Sequence, residues 1–157
     1  MQKVPMTPGG HQKLKDELDQ LRKVERPKVV KEIEVARAHG DLSENAEYDA
    51  AKDRQGFVEG RIRELQGKLA NAEVIDPTTL SGDRVMFGAT VTIYDVEKDE
   101  EQTYQIVGDD ESNIKENKIS FSSPIARALI GKSEGDETVI KAPKGNRVVE
   151  IMEVQFR

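Results

Sequence analysis

Ala36-Arg37-Ala38-His39-Gly40-Asp41-Leu42-Ser43-Glu44-Asn45-Ala46-Glu47-Tyr48-Asp49-Ala50-Ala51 is the stretch that decides the fold. Helical apolar patterns run up to it and away from it, and Gly40 is the only glycine between Gly10 and Gly56. If the two helices fold back on each other, Gly40 sits at the far end of a hairpin. Asp41, Glu44, Glu47 and Asp49 then gather on or near its tip, around residues 40–48. Acids concentrated at the end of an arm point to delivery of charge, or of a shared cation, to another molecule.

The arms themselves read clearly. Thr7-Pro8 is a helix start, with a side-chain oxygen to cap the first turn and a proline where a missing N–H costs nothing. Leu14, Leu18 and Leu21 follow at four- and three-residue steps, the seam of a helix that packs on another helix. Val24, Val29 or Val30, Ile33 and Ala36 continue it with less regular spacing, and Pro27 predicts a kink or local break. Beyond the tip, Val58, Ile62, Leu65, Leu69 and Ala72 make a heptad seam. Two seams joined by so few residues imply an antiparallel pair. Arms of about 30 residues would span on the order of 45 Å, and packing alone does not explain that length.

Ile75-Asp76-Pro77 predicts the end of the second helix, since the residue before proline is pushed out of the helical region. Residues 77–83 read as a linker, dividing a hairpin over 1–76 from a globular domain over 84–157. In that domain the period changes to two. Val85, Phe87, Ala89, Val91, Ile93 and Asp95 alternate with polar or small neighbours. Further strands are expected at 102–107, 118–121, 137–141 and 147–156. Ser123-Pro124 starts one short helix and Gly131 closes it. The fold class is therefore α+β: an N-terminal antiparallel helical hairpin, then an antiparallel sheet with one short helix.

Composition agrees. Charged residues reach 34% and aromatics only 4%, which suits an elongated, solvated helical part joined to a small compact one. A formal net charge of −6 argues against nucleic-acid affinity spread over the whole chain. The absence of cysteine excludes disulfides and cysteine-ligated zinc. The N-terminal residues lack the apolar run of a signal peptide and no stretch is apolar enough to span a bilayer, so cytoplasmic residence without a membrane partner is expected.

At the tip, two readings compete. Asp41-x-x-Glu44 matches a variant of the capping box, with Glu47 and Asp49 favouring the positive end of the same helix. Ser43 is an equally good cap, and if the helix starts there Asp41 and Glu44 are free to share a cation. Two carboxylates hold Mg²⁺ only weakly, because that ion keeps its waters and wants several hard oxygen ligands; the pair resembles half a metal site. Arg37, Lys52 and Arg54 flank the tip, as a basic spot or as partners of nearby acids. Tyr48 either stacks on a base or packs at the hairpin end. His11 and His39 lack the neighbours of a zinc pair, and Gly9-Gly10 is a weak anion-site signal better read as loop geometry.

Arg37-Ala38-His39-Gly40-Asp41-Leu42-Ser43-Glu44-Asn45-Ala46-Glu47-Tyr48 closely resembles the tip of the bacterial Gre transcript cleavage factors, the GreA branch in particular. Met6-Thr7-Pro8-Gly9-Gly10, residues 56–62, residues 123–132 and Gly135-Asp136 resemble the same family, so the likeness covers nearly the whole chain. The resemblance implies a coiled-coil hairpin followed by an FKBP-like domain that docks on RNA polymerase at the mouth of its secondary channel. It implies a factor that is not itself an enzyme. Such a factor stimulates the polymerase's own endonucleolytic cleavage of the nascent RNA 3′ end in backtracked complexes, so that elongation resumes. The family's tip acids map onto Asp41 and Glu44, which would help place Mg²⁺ jointly with the polymerase. Ser43, Asn45 and Tyr48 would support the tip, and Arg37 and Lys52 would lie near the extruded RNA.

Other functions fit parts of the pattern. An inhibitor occupying the same channel would share the architecture, and the intact Asp41 and Glu44 favour activation instead. A prolyl isomerase would follow only from fold analogy. The aromatics it would need, Phe87, Tyr94, Tyr104, Phe121 and Phe156, read as core or sheet residues. A bare coiled-coil scaffold leaves the acids unexplained.

Overall fold

The structure, a computed structural model, describes residues 3–40 and 45–157. It divides by internal packing into two units. One is His11–Asn71; the other joins the segment ending at Gly10 to Ala72–Arg157.

In the first unit the chain rises through helix α1 (Pro8–Gln20), a π-turn (Leu21–Glu25) and helix α2 (Arg26–Ala38), and returns through helix α3 (Ala46–Ala70). Thr7 caps α1 as its sequence predicts, its Oγ1 accepting the Gly10 N–H at 3.2 Å. The break expected at Pro27 takes the form of the π-turn. Proline has no N–H and crowds the carbonyl four residues back, and the widened turn accommodates it, with the Arg26 N–H donating to the Leu21 carbonyl. A π-turn acts as a one-residue insertion in a helix. The buried seam shows the shift: Leu14, Leu18 and Leu21 are followed by Val29, Ile33 and Ala36, each one place later than an unbroken four-three pattern puts it. Val24 and Val30, both candidates for the stripe, are 47% and 43% exposed.

From α3 the facing side chains are Ala51, Val58, Ile62 and Leu65, all buried. Ion pairs flank the seam. Arg61 makes a two-pronged contact with Glu17 at 2.7 and 2.9 Å, Arg26 does the same with Glu59 at 2.8 Å, and Arg54 reaches Glu32 at 2.6 Å. The hydrogen bond from Arg26 holds the Glu59 carboxyl below its ordinary range against a smaller opposing effect of burial.

The second helix stops earlier than Ile75-Asp76-Pro77 predicts. Helix α3 ends at Ala70, and Ala72 opens a short strand, β2 (Ala72–Val74), that pairs in parallel with β1 (Val4–Met6). A strand partner from the N-terminal segment wins over continued helix, and Asp76-Pro77 instead begins a 3₁₀ turn in which Asp76 accepts the Thr78 N–H at 2.9 Å.

The sheet of the second unit runs in the order β5-β4-β3-β7-β6. Its members are β3 (Thr90–Asp95), β4 (Glu100–Val107), β5 (Lys118–Ser120), β6 (Glu137–Ile140) and β7 (Arg147–Gln155), with helix α4 (Pro124–Leu129) between β5 and β6. Ordered alternation does not begin at Val85: a turn at Met86–Ala89, with Gly88 at φ +89°, precedes β3. All neighbours are antiparallel except β4 and β5, which run parallel. A parallel pair needs a crossover rather than a hairpin turn, and two 3₁₀ turns between Val107 and Lys118 supply it. Met152 is the extra residue of a bulge opposite Thr92 and Ile93, which bends the sheet.

The core of this unit gathers Val85, Val91, Ile93, Ile106, Leu129, Ile140, Val149 and Ile151, none more than 1% exposed. Ser123 caps α4 by accepting the Ala126 N–H at 3.3 Å. Phe87 and Phe121 meet edge to face with centroids 6.0 Å apart, and with Phe156 they pack against the core. Gly9-Gly10 is neither loop nor open anion site. It lies in the first turn of α1, where the Glu111 carboxylate accepts from the Thr7 N–H at 3.0 Å, the Thr7 hydroxyl and the Gly108 N–H at 3.1 Å. A β-carbon on Gly10 would overlap that carboxyl group, so the chain's own acid occupies the helix start.

Candidate functional site

Helix α2 ends two residues before Gly40. Ala38 is its last helical residue and His39 its C-cap, and Gly40, at φ +100°, donates its N–H to the Arg37 carbonyl at 3.1 Å. The next described residue, Asn45, is the cap of α3, its Oδ1 accepting the Tyr48 N–H at 3.0 Å. The cap is therefore neither Asp41 nor Ser43, and no capping box with Glu44 at its third position is needed to start this helix. Asn is among the best caps because its short side chain returns an oxygen to the exposed N–H groups of the first turn. Asn45 also reaches backward, Nδ2 donating to the Ala36 carbonyl at 2.7 Å.

Asp41, Ser43 and Glu44 lie outside the described residues. In sequence they join the end of α2 to the start of α3. The other predicted residues lie on the two helices that flank this segment in sequence. Arg37 is exposed in the last turn of α2, Tyr48 half-buried in the first turn of α3, and Lys52 exposed one turn further, donating to the Gln55 side chain at 3.1 Å. Glu47 and Asp49 occupy the first turn of α3, where the helix dipole favours negative charge. His39 Nδ1 is 3.5 Å from the Glu47 carboxylate. Arg54, the third cation of the sequence reading, is committed to Glu32 across the hairpin, whereas Lys52 bonds a neutral partner, Gln55. Beside them a groove of about 350 Å³ runs between α2 and α3, lined by Lys31, Glu32, Val35, Glu47, Ala50 and Arg54.

Sequence reasoning missed the second bond of Asn45. A cap is a local signal, but a donor reaching a carbonyl nine residues earlier depends on where the two helices meet. Among the described residues no cluster of three or more His, Asp or Glu is arranged to hold a metal ion, and no helix is long and apolar enough to cross a membrane.

The sequence pattern described as "Transcription elongation factor, N-terminal" matches residues 4–74, and that described as "Transcription elongation factor, GreA/GreB, C-term" matches residues 80–156. The chain belongs to the GreA/GreB family of transcription elongation factors. Transcription elongation factor GreA of Hyphomonas neptunium is 57% identical over 100% of both chains. Transcription elongation factor GreA of Brucella anthropi is 59% identical over 99% of each. Among solved structures, the GreA factor homolog 1 of Thermus thermophilus matches at 26% identity over 98% of this chain and 99% of its own, with a TM-score of 0.45. The GreA/GreB assignment rests on the two patterns and on the full-length relatives, and it accounts for the order of a helical hairpin followed by an α+β domain.

Proposed function

We propose that this elongation factor enters the secondary channel of bacterial RNA polymerase, in the cytoplasm, with the segment between Gly40 and Asn45 leading. There it stimulates the polymerase's intrinsic endonucleolytic cleavage of the nascent RNA 3′ end in backtracked complexes. It is an accessory factor and not itself the enzyme. The observation that carries this reading is the order of the chain at the hairpin's turn. The segment bearing Asp41 and Glu44 connects α2 to α3, the two antiparallel arms held together by a seam of Leu, Val and Ile.

Asp41 and Glu44 provide hard carboxylate oxygens of the kind Mg²⁺ takes, and two such groups fall short of a complete set for that ion. The polymerase supplies the rest. Bound in this shared site, Mg²⁺ would polarise the scissile phosphate and lower the pKa of the attacking water. Arg37 and Lys52 lie to either side and attract the phosphates of the extruded RNA. Ser43, Asn45 and Tyr48 support the tip.

A stalled, backtracked complex with labelled RNA and Mg²⁺ tests the proposal. The wild-type chain should accelerate release of short 3′ fragments. Asp41→Asn and Glu44→Gln should each bind polymerase normally and lose most of the acceleration, at least tenfold. Cleavage inhibited by the wild-type chain would identify a channel-blocking antagonist, and full activity in the double variant would remove the carboxylates from the mechanism.

A further inference from the structure

We infer that Asn45 is a positioning residue that ties the two helices together at the base of the segment carrying Asp41 and Glu44. Its consequence for cleavage rests on the proposed function; the tie itself does not. The two ends of one primary amide are used in opposite directions. Oδ1 accepts the Tyr48 N–H at 3.0 Å, fixing the first turn of α3, while Nδ2 donates to the Ala36 carbonyl at 2.7 Å, in the last turn of α2. The Ala36 oxygen also accepts the His39 N–H at 3.2 Å, so both of its lone pairs are engaged and the helix end is closed.

Capping alone does not require asparagine, because Ser, Thr and Asp cap about as well. None of them offers an N–H donor on the far side of the capping oxygen. The demand for acceptor and donor on one short side chain selects Asn, and the donor is what joins α3 to α2. The bond closes the chain from Ala36 to Asn45 into a loop and fixes the separation of the two helix ends. A displacement of about 1 Å in a group that must meet a reacting centre costs as much as 100-fold in rate. A tie at this point therefore acts on the rate at saturation rather than on binding to polymerase.

Asn45→Ser keeps the capping oxygen and removes the tie without adding charge. Asn45→Asp also keeps the cap and sets a carboxylate against the Ala36 carbonyl. Both variants should retain wild-type helix content. In the backtracked complex the factor concentration giving half-maximal cleavage should stay within twofold of wild type, while the maximal rate falls at least tenfold. A merely structural loss would instead lower helix content and raise the half-maximal concentration. A maximal rate within twofold of wild type in Asn45→Ser would overturn the positioning role. In the free wild-type protein, NMR should find a through-hydrogen-bond coupling between the Asn45 side-chain amide and the Ala36 carbonyl, with amide exchange slowed at least tenfold relative to a solvated asparagine. A freely exchanging amide without coupling would overturn the tie. A wild-type chain that fails to accelerate cleavage would overturn the proposed function and the catalytic consequence drawn from it, and the coupling would then decide the tie by itself.

Discussion

The hairpin buries little more than a single file of side chains along each helix, whereas the sheet domain closes its core from two directions, with α4 on one side and a bent five-stranded sheet on the other. The hairpin adds partly exposed Arg–Glu pairs at its flanks; the domain adds a buried acid, Asp95, 3% exposed, inside a polar network. Asp95 Oδ1 accepts the N–H groups of Glu97 and Lys98 at 3.1 Å, and its Oδ2 accepts from Arg147 at 2.9 Å. A long solvated arm can be stiff without a thick core, because each turn adds one seam residue and the flanking charges keep it soluble. A compact domain that keeps a charge must satisfy every oxygen it buries.

The largest test of this contrast is the removal of one seam or core side chain at a time. Leu65→Ala in the hairpin and Ile106→Ala in the sheet, both at 0% exposure, should each cost about 2–5 kcal/mol. Hydrogen exchange should localise the damage, with α2 and α3 losing protection in the first variant and β3, β4 and β7 in the second. Equal loss in both units from either substitution would show that the two cores melt as one.

The same contrast explains what the sequence revealed. Strict spacing made both seams legible, and the irregularity between Leu21 and Val29 was itself the mark of the π-turn, a jump of one heptad plus one residue beside Pro27. Gly40 follows the end of α2 at φ +100°, a conformation that glycine adopts more readily than other residues. The β1–β2 pair, the parallel placement of β5 and the contact of Glu111 with Thr7 and Gly10 join residues far apart in the chain, and no local pattern encodes them. At the tip Asp41 and Ser43 were read as caps, and Asn45, an equally good capping residue, caps α3 instead; its bond to Ala36, nine residues back, follows no cap pattern.

Acid titration gives a smaller effect and separates the two polar designs. The Lys98 N–H, chiefly, and then Arg147 hold the Asp95 carboxyl below its ordinary range against the opposing effect of burial. Its contribution to stability is therefore fully present above about pH 4 and is lost as pH falls through the lowered folded value. Asp95→Asn should flatten the acid-side slope of the sheet domain's stability by up to one proton, leaving that of the hairpin unchanged. An unaltered slope would mean that the network does not stabilise the ionised form. Smaller still is the surface pair of the hairpin. A double-mutant cycle on Glu17 and Arg61 should yield a coupling of about 0.2–1 kcal/mol, shrinking as salt is added. A coupling several times larger and insensitive to salt would show that the arm is held by its charges rather than its seam.

A Mg²⁺ titration of cleavage in a backtracked complex measures whether the carboxylates of Asp41 and Glu44 contribute ligands to a metal ion inside polymerase. The wild-type chain should lower the Mg²⁺ concentration for half-maximal cleavage at least tenfold, and the variant carrying both Asp41→Asn and Glu44→Gln should return it to the value of polymerase alone while still occupying the complex. If the double variant lowers the Mg²⁺ requirement as far as wild type, Asp41 and Glu44 supply no metal ligand.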